Sequence, residues 1–482
     1  MSQNKTPLFD ALKDYHKKGI VPFDVPGHKH GVGLKEFGEF MGEKVLEVDV
    51  NSMKCLDNLS NPVGVIKDAE ELLAKVYSAD YGYFLVNGTS GGVQAMIMSV
   101  CKPKDKIILP RNAHKSATNG IIMSGAVPVY IHPEYNRELS IAFGVTTDSV
   151  KKAIRENSDA KAIFIINPTY FGAVSDLKEI CDLAHKSNMI VLVDEAHGSH
   201  LHFHPELPMS AMDAGADMVA LSMHKTGGSL TQSSALVIKG GRVDPKHVRK
   251  ILNLNQTTSA SYLLMSSLDI ARKNLAIDGE KLLSYVLELS RYARDEINKI
   301  EGIYAFGKEI EGTPGVHEFD ETKLVINVSG LGMTGFKVYD ILRDEYDIQM
   351  ELGDSANVLG IISLGDTKEN INKLIKALLE ISSKYKQEVK SYKSLLPAYE
   401  LETALSARDA FYADKEKVKL KDSVGRISGE SIMAYPPGIP IFTPGERITS
   451  KVLDYIEFLT KQDTVITDLE DSTLEFINVI KE

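Results

Sequence analysis

The chain has 482 residues, 43% hydrophobic and 25% charged, the balance of an ordinary globular protein with room for roughly two to four cores. Its formal net charge of -11 speaks against a nucleic-acid binder and leaves room for a cationic small-molecule ligand. Cys55, Cys101 and Cys181 form no CxxC pair, and no run is apolar enough for a signal core or a membrane span; a thiolate metal site is therefore not expected, and a cytoplasmic location is.

Residues 1–65 read as an N-terminal arm with short helices. Thr6-Pro7 supplies helix-start chemistry, and Leu8, Leu12 and Tyr15 share one helical face. Val25-Pro26-Gly27-His28-Lys29-His30-Gly31 ends that pattern and predicts a loop, whose polarity is ordinary for a solvated segment. Residues 66–275 alternate strand and helix. Apolar runs predict strands over 83–86, 106–109, 127–131, 162–166, 190–193, 218–221 and 235–238. Helical spacing predicts helices over 93–100, after Asn87-Gly88-Thr89-Ser90-Gly91-Gly92, and over 174–187. Such alternation implies an α/β fold: a mostly parallel, seven-stranded sheet with helices on both faces and ligands at the carboxyl ends of its strands.

Residues 276–390 read as a smaller α/β domain. Its elements are a helix over 282–300, a strand over 324–328, a helix over 335–344 after Gly330-Leu331-Gly332, a strand-like run over 348–352 and an amphipathic helix over 370–384. The Lys-rich segment 384–393 reads as an exposed helix or linker, and residues 391–482 as a C-terminal domain centred on Ala434-Tyr435-Pro436-Pro437-Gly438-Ile439-Pro440.

Chemistry concentrates at two strand ends. The run Met218–Leu221 leads into Ser222-Met223-His224-Lys225-Thr226-Gly227-Gly228. A lone lysine is ordinarily an exposed loop residue, but one at the mouth of a sheet can be desolvated. Desolvation lowers its pKa and frees the amine for Schiff-base chemistry. Ser222 and His224 beside it suit a phosphate. The run Ile190–Val193 ends in Asp194. An acid at one strand end and a lysine at the next suit pyridoxal 5'-phosphate (PLP): the acid pairs with the protonated ring nitrogen and the lysine holds the aldehyde as an imine. Gly88-Thr89-Ser90-Gly91-Gly92 before a helix offers backbone N–H groups and two hydroxyls to an anion, without the Gly-Lys-Ser/Thr of a Walker loop. His114, in Arg111-Asn112-Ala113-His114-Lys115-Ser116, suits stacking on a pyridine ring. His197, His200, His202 and His204 crowd one segment, but their spacing fits no standard closed zinc site. No metal is expected, and His197 is expected to pack on the cofactor.

The stretches PGHKHG, NGTSGG, PRNAHKS, INPTYFG, VDEAHG, SMHKTGGSLTQSS, TTSASY and SGESIMAYPPGIPIFTPGE span nearly the whole chain. Together they resemble the fold-type-I, aminotransferase-like PLP enzymes of the ornithine/lysine/arginine decarboxylase family, and most of all its compact Gram-positive arginine decarboxylases. The extra N-terminal wing domain of the larger members has no counterpart here, so their ring assemblies are not implied. The resemblance implies a fold-type-I large domain, a smaller α/β domain and a C-terminal domain. It implies that Lys225 carries the cofactor, Asp194 binds the ring nitrogen and His114 stacks on the ring. Thr89, Ser90, Gly91, Ser222 and His224 would surround the phosphate. Thr257 or Thr258 would reach the phosphate of a neighbouring subunit, making the active unit at least a homodimer. Glu430 would belong to the family's C-terminal substrate-side motif.

The activity so implied is decarboxylation of a basic amino acid, most of all arginine to agmatine and CO2 in polyamine biosynthesis, with His224 or Lys225 returning the Cα proton. Lysine and ornithine remain alternative substrates; an aminotransferase or aldolase on the same scaffold, or a PLP-binding regulatory or carrier protein without turnover, is an alternative. An aminotransferase needs an arginine for the α-carboxylate; Arg343 is the small-domain candidate and has no aminotransferase-like motif around it. The distal cation of a basic substrate calls for a carboxylate, and Glu430 and Asp24 are the candidates.

Overall fold

The computed structural model describes residues 2–385, 401–435, 438–461 and 465–481. All seven expected strands are present: β1 (Tyr81–Leu85), β2 (Lys106–Pro110), β3 (Val127–Ile131), β4 (Ala162–Ile166), β5 (Ile190–Asp194), β6 (Met218–Leu221) and β7 (Ser234–Ile238). The chain folds as two compact units, Met1–Ser99 with Ile190–Leu283, and Val100–Met189 with Ser284–Glu482.

In the first unit the strand order is β1–β7–β6–β5. β5 and β6 run parallel, with Asp194 opposite Ala220; β7 is antiparallel to both β6 and β1. β6 and β7 are buried along their whole length, and β5 everywhere but its first residue, as strands covered on both faces must be. The helix Pro7–Lys17 buries Leu8, Leu12 and Tyr15, the face read from the sequence. Thr6 does not cap it through its side chain. The free N–H groups of Leu8 and Phe9 go instead to Asp269 Oδ2 at 3.0 and 3.4 Å. Asp269 is in turn paired with the buried Arg272 at 2.5 Å, whose guanidinium also takes the carbonyls of Gln3 and Lys5.

In the second unit the order is β4–β2–β3, all parallel. A four-stranded antiparallel sheet follows, in the order Tyr304–Ala305, Lys323–Asn327, Asn357–Ile361, Leu352–Gly353. Its core includes Leu324, Ile326 and Val358 together with Val338 and Leu342 of the helix Gly335–Tyr346 and Leu374, Leu378 and Ile381 of the helix Lys368–Tyr385. The C-terminal part packs Val452, Ile456 and Leu459 of the helix Ser450–Thr460 against Ile432, Ile441, Phe442, Ile477 and Val479. Pro436, Pro437 and residues 386–400, including most of the expected Lys-rich linker, lie outside the described residues.

Four elements start three or more residues away from expectation. The helix expected from Val93 begins at Gly88, so Thr89, Ser90 and Gly91 lie in its first turns rather than in a loop. The helix expected from Val174 begins at Leu177, because Asp176 accepts the N–H of Glu179 at 3.0 Å as its cap, and Ala173–Val174 pairs with Glu318–Phe319. The helix expected over 282–300 is the last part of a 36-residue helix, Tyr262–Ile297, which runs through position 276 without a break. Of the strand-like run 348–352, only Leu352 is in a strand, Leu352–Gly353.

Candidate active site

The parallel pairing of β5 and β6 sets two strand ends side by side in the first unit. β5 ends in Asp194, which is 6% exposed and accepts the Ala196 N–H at 3.1 Å. Burial raises the Asp194 carboxyl above its ordinary 3.8, while the positive charge of Lys225 and the Ala196 N–H pull it back down. An acid held this way is a site for a cation. β6 ends at Leu221, and Lys225 sits just past it on a single helical turn, Met223–Thr226. Its Nζ lies 2.7 Å from His197 Nε2. An ammonium only donates, so Nε2 accepts whenever Lys225 is charged.

The turn that carries Lys225 is braced from beneath. The buried Tyr77 hydroxyl donates to the Ser199 carbonyl at 2.7 Å and lies 3.1 Å from Met223 Sδ. The Ser199 hydroxyl meets Thr226 Oγ1 at 2.8 Å and donates to the Ser222 carbonyl at 3.3 Å. His224 Nδ1 lies 3.0 Å from the Ser233 carbonyl. A carbonyl can only accept, so Nδ1 carries a proton and the ring orientation is fixed.

Beside this turn stands the N-terminus of the helix Gly88–Val100. Gly88, at φ +69°, turns the chain off β1 into the helix. Gly92 permits close packing, since a Cβ there would lie 2.7 Å from the Leu85 side chain. Thr89 Oγ1 lies 2.5 Å from Ser222 Oγ and donates to Ser234 Oγ at 2.9 Å. Three buried hydroxyls thus converge at a helix N-terminus, the donor set an oxyanion needs. Ser90 is exposed and Gly91 buried. Ser234, Tyr77, Ser199 and Thr226 were not foreseen. Ser234 and Thr226 lie in a quoted motif, but Tyr77 carries no local signal.

The other sequence candidates have the following local partners. In the first unit, Thr257 and Thr258 are exposed, with Thr257 Oγ1 accepting the Ser259 N–H at 3.1 Å. Asp24 is exposed and its carbonyl accepts from Lys29 Nζ. The histidine cluster disperses: His202 Nδ1 pairs with Asp213 at 2.7 Å and His204 Nδ1 accepts the Glu206 N–H at 3.2 Å. Among the described residues, no group of three His, Cys, Asp or Glu side chains converges as metal ligands would. In the second unit, His114 is the N-cap of the helix Lys115–Ser124. Glu430 accepts the N–H groups of Asn478 at 2.6 Å and Glu470 at 2.9 Å, one on each carboxylate oxygen. Arg343, the arginine considered for an aminotransferase, is engaged by Asp340 and Asp344 on the surface.

Residues 6–370 match the model of the Orn/Lys/Arg decarboxylase major domain, and residues 385–467 match that of the family's C-terminal domain. The chain belongs to the Orn/Lys/Arg decarboxylase family. It is 48% identical to the arginine decarboxylase of Bacillus subtilis (strain 168), over 100% of this chain and 99% of that protein. It is 47% identical to the arginine decarboxylase of Bacillus anthracis, over 100% and 98%. Among solved structures, the lysine decarboxylase of Francisella novicida superposes with a TM-score of 0.87 at 24% identity, covering 98% of this chain and 81% of that one. A ureidoglycine-glyoxylate aminotransferase from Bacillus subtilis shares the fold at a TM-score of 0.53 and 15% identity, over 68% of this chain and 87% of that one. As a family member the chain is an amino-acid decarboxylase on the fold-type-I scaffold expected from its sequence. No described helix is long and apolar enough to cross a membrane.

Proposed function

We propose that the chain is a PLP-dependent arginine decarboxylase that converts L-arginine to agmatine and CO2. The observation that carries this reading is the buried Asp194 beside the turn of Lys225, with Thr89, Ser222 and Ser234 converging next to that turn. This donor set fits PLP group by group: an amine for the aldehyde, a buried acid for the ring nitrogen and hydroxyls at a helix N-terminus for the phosphate. The full-length identity to arginine decarboxylases supports arginine over lysine or ornithine.

Bound PLP supplies a sink for the electrons left when the Cα–carboxylate bond breaks. Lys225 would hold the cofactor through its amine. Asp194 would keep a proton on the ring nitrogen, its burial strengthening the charge interaction. Thr89, Ser222 and the first turn of the helix Gly88–Val100, with Ser90 and Gly91, hold the phosphate. His224, oriented by the Ser233 carbonyl, would face the same group. His197, in contact with Lys225 Nζ, takes and returns the proton that frees the amine, and Lys225 or His224 delivers the proton to Cα. His114 would stack on the ring, a role that rests on the family resemblance.

Glu430 and Asp24 remain the candidate readers of the guanidinium; each Glu430 oxygen has a second lone pair beyond the N–H it accepts. The exposed Thr257 and Thr258 suit a contact with a second copy, so the active unit is a homodimer or larger. The four-part division at residues 65, 275 and 390, a cytoplasmic location and a place in polyamine biosynthesis complete the reading. Borohydride trapping tests its core: the wild type should fix PLP on the peptide containing Lys225, and Lys225→Ala should fix none there. An adduct on a different lysine overturns the assignment.

A further inference from the structure

Arg111 lies three positions before His114 and has no part in the chemistry above. It is 2% exposed. Its Nη1 donates to the Pro440 carbonyl at 3.1 Å, and its Nη2 donates to the Ile441 carbonyl at 3.1 Å and to Glu446 Oε2 at 2.8 Å. Glu446 is 1% exposed, and the same oxygen accepts the Thr443 N–H at 2.7 Å. The pair joins the segment after β2 to the C-terminal strand Ile439–Phe442.

The helix that begins after His114 is held at both ends by residues of the C-terminal part. The Lys115 N–H, a first-turn donor with no partner inside its helix, goes to the Gly438 carbonyl at 3.2 Å. The Lys115 ammonium meets Asp468 at 3.2 Å. At the far end, Arg408 donates to the Met123 carbonyl at 2.9 Å. The His114 ring is fixed as well, because its Nδ1 accepts the Ser116 N–H at 3.2 Å. In the neutral ring the proton is therefore on Nε2.

A buried ion pair is a poor source of stability, since desolvation offsets most of its attraction. Its value is direction: a planar guanidinium with three acceptors has one orientation. We propose that Arg111 and Glu446 are positioning residues that lock the His114 helix to the strand Ile439–Phe442, so that the C-terminal domain sets the placement of the His114 ring. This rests on the reading of His114 as the residue that stacks on the cofactor.

The test compares Arg111→Met/Glu446→Gln, which breaks the lock without leaving a charge buried, with Arg111→Lys, His114→Ala and the combination of all three positions. Each full-length variant is titrated with PLP for Kd, examined by visible circular dichroism of the bound cofactor, and assayed for kcat and KM with arginine. The lock predicts native far-ultraviolet dichroism and a visible band altered toward that of His114→Ala. It predicts a kcat lower by roughly 10- to 100-fold, the cost of a small misplacement of a group at the reacting centre, with little change in KM. Arg111→Lys should resemble the double variant, because one ammonium cannot serve three acceptors in the same geometry. On the His114→Ala background the double change should add no further loss. A wild-type band and kcat in the double variant, or losses that add in full to those of His114→Ala, overturn the proposal while the stacking role stands. A wild-type band and kcat in His114→Ala retire the stacking role itself, and the lock with it.

Discussion

Replacing Asp194 by asparagine isolates a charge. The asparagine oxygen can still accept the Ala196 N–H that Asp194 accepts at 3.1 Å, and the side chain is nearly isosteric, so β5 and its pairing with β6 should persist. What is lost is the negative charge in a site only 6% exposed. Two unit charges about 4 Å apart at an effective dielectric of about 20 interact by ~4 kcal/mol. Loss of one preorganised electrostatic contact in a closed site costs about 2.7–4 kcal/mol of transition-state stabilisation. That range corresponds to roughly 100- to 900-fold in kcat. The assay is arginine-dependent CO2 release at saturating PLP, with cofactor occupancy measured separately by absorbance. The variant should retain much of its cofactor, because the hydroxyl cradle around Thr89 is untouched, and should lose most of its turnover. A kcat close to that of the wild type, with the cofactor fully bound, would refute the role of Asp194 as the acid that holds the ring nitrogen protonated.

Three further predictions follow from the same geometry. Thr89→Val removes the hydroxyl shared by Ser222 and Ser234; PLP titration of the cofactor-free protein should give a Kd weaker by roughly tenfold or more, the cost of one hydrogen bond to a charged group, and an unchanged Kd would remove Thr89 from the phosphate site. Glu195 is 1% exposed, and burial holds its carboxyl well above the ordinary 4.5. The folded state therefore binds this proton more tightly than the unfolded chain, so its contribution is full below pH 4.5 and falls as pH rises toward the folded pKa. Glu195→Gln keeps an acceptor for the Ala211 N–H and removes that slope, ~1.4 kcal/mol per pH unit at most. Its Tm relative to the wild type should rise as the pH is raised above 4.5, and parallel Tm curves would contradict the raised pKa of the buried acid. Glu430→Gln or Asp24→Asn should raise KM for arginine by roughly tenfold if the residue reads the guanidinium; if both leave KM near wild type, neither residue does so.

The strands were legible because each is a short apolar run; β4 and β6, buried almost throughout, lie where the runs predicted, and so does the partly buried edge strand β3. Helix starts were less legible. Gly88-Thr89-Ser90-Gly91-Gly92 has poor intrinsic helix propensity, yet the helix starts at Gly88. Close packing of Gly92 on Leu85 and the Thr89 hydroxyl bonds hold that turn where propensity would not. Asp176 could have been read as a cap, since an acid before a helical run is its usual signal. At the site, Lys225, Asp194, Thr89 and Ser222 announced themselves because each stands at the end of a strand or the start of a helix. Tyr77, Ser199 and Ser234 did not, because their partners are distant in sequence and no local spacing couples them. Arg111 stood inside a motif singled out for His114. Nothing in an isolated arginine marks it as buried, so only the fold brings its partner Glu446 into view.

The most direct test of the account is the product. Purified protein supplied with PLP should convert L-arginine to agmatine with release of equimolar CO2, at a kcat/KM well above that for L-lysine or L-ornithine, and Lys225→Ala should lose this activity. Release of CO2 from lysine or ornithine in preference to arginine would contradict the substrate assignment. Turnover by Lys225→Ala equal to that of the wild type would contradict the chemistry on which the account is built.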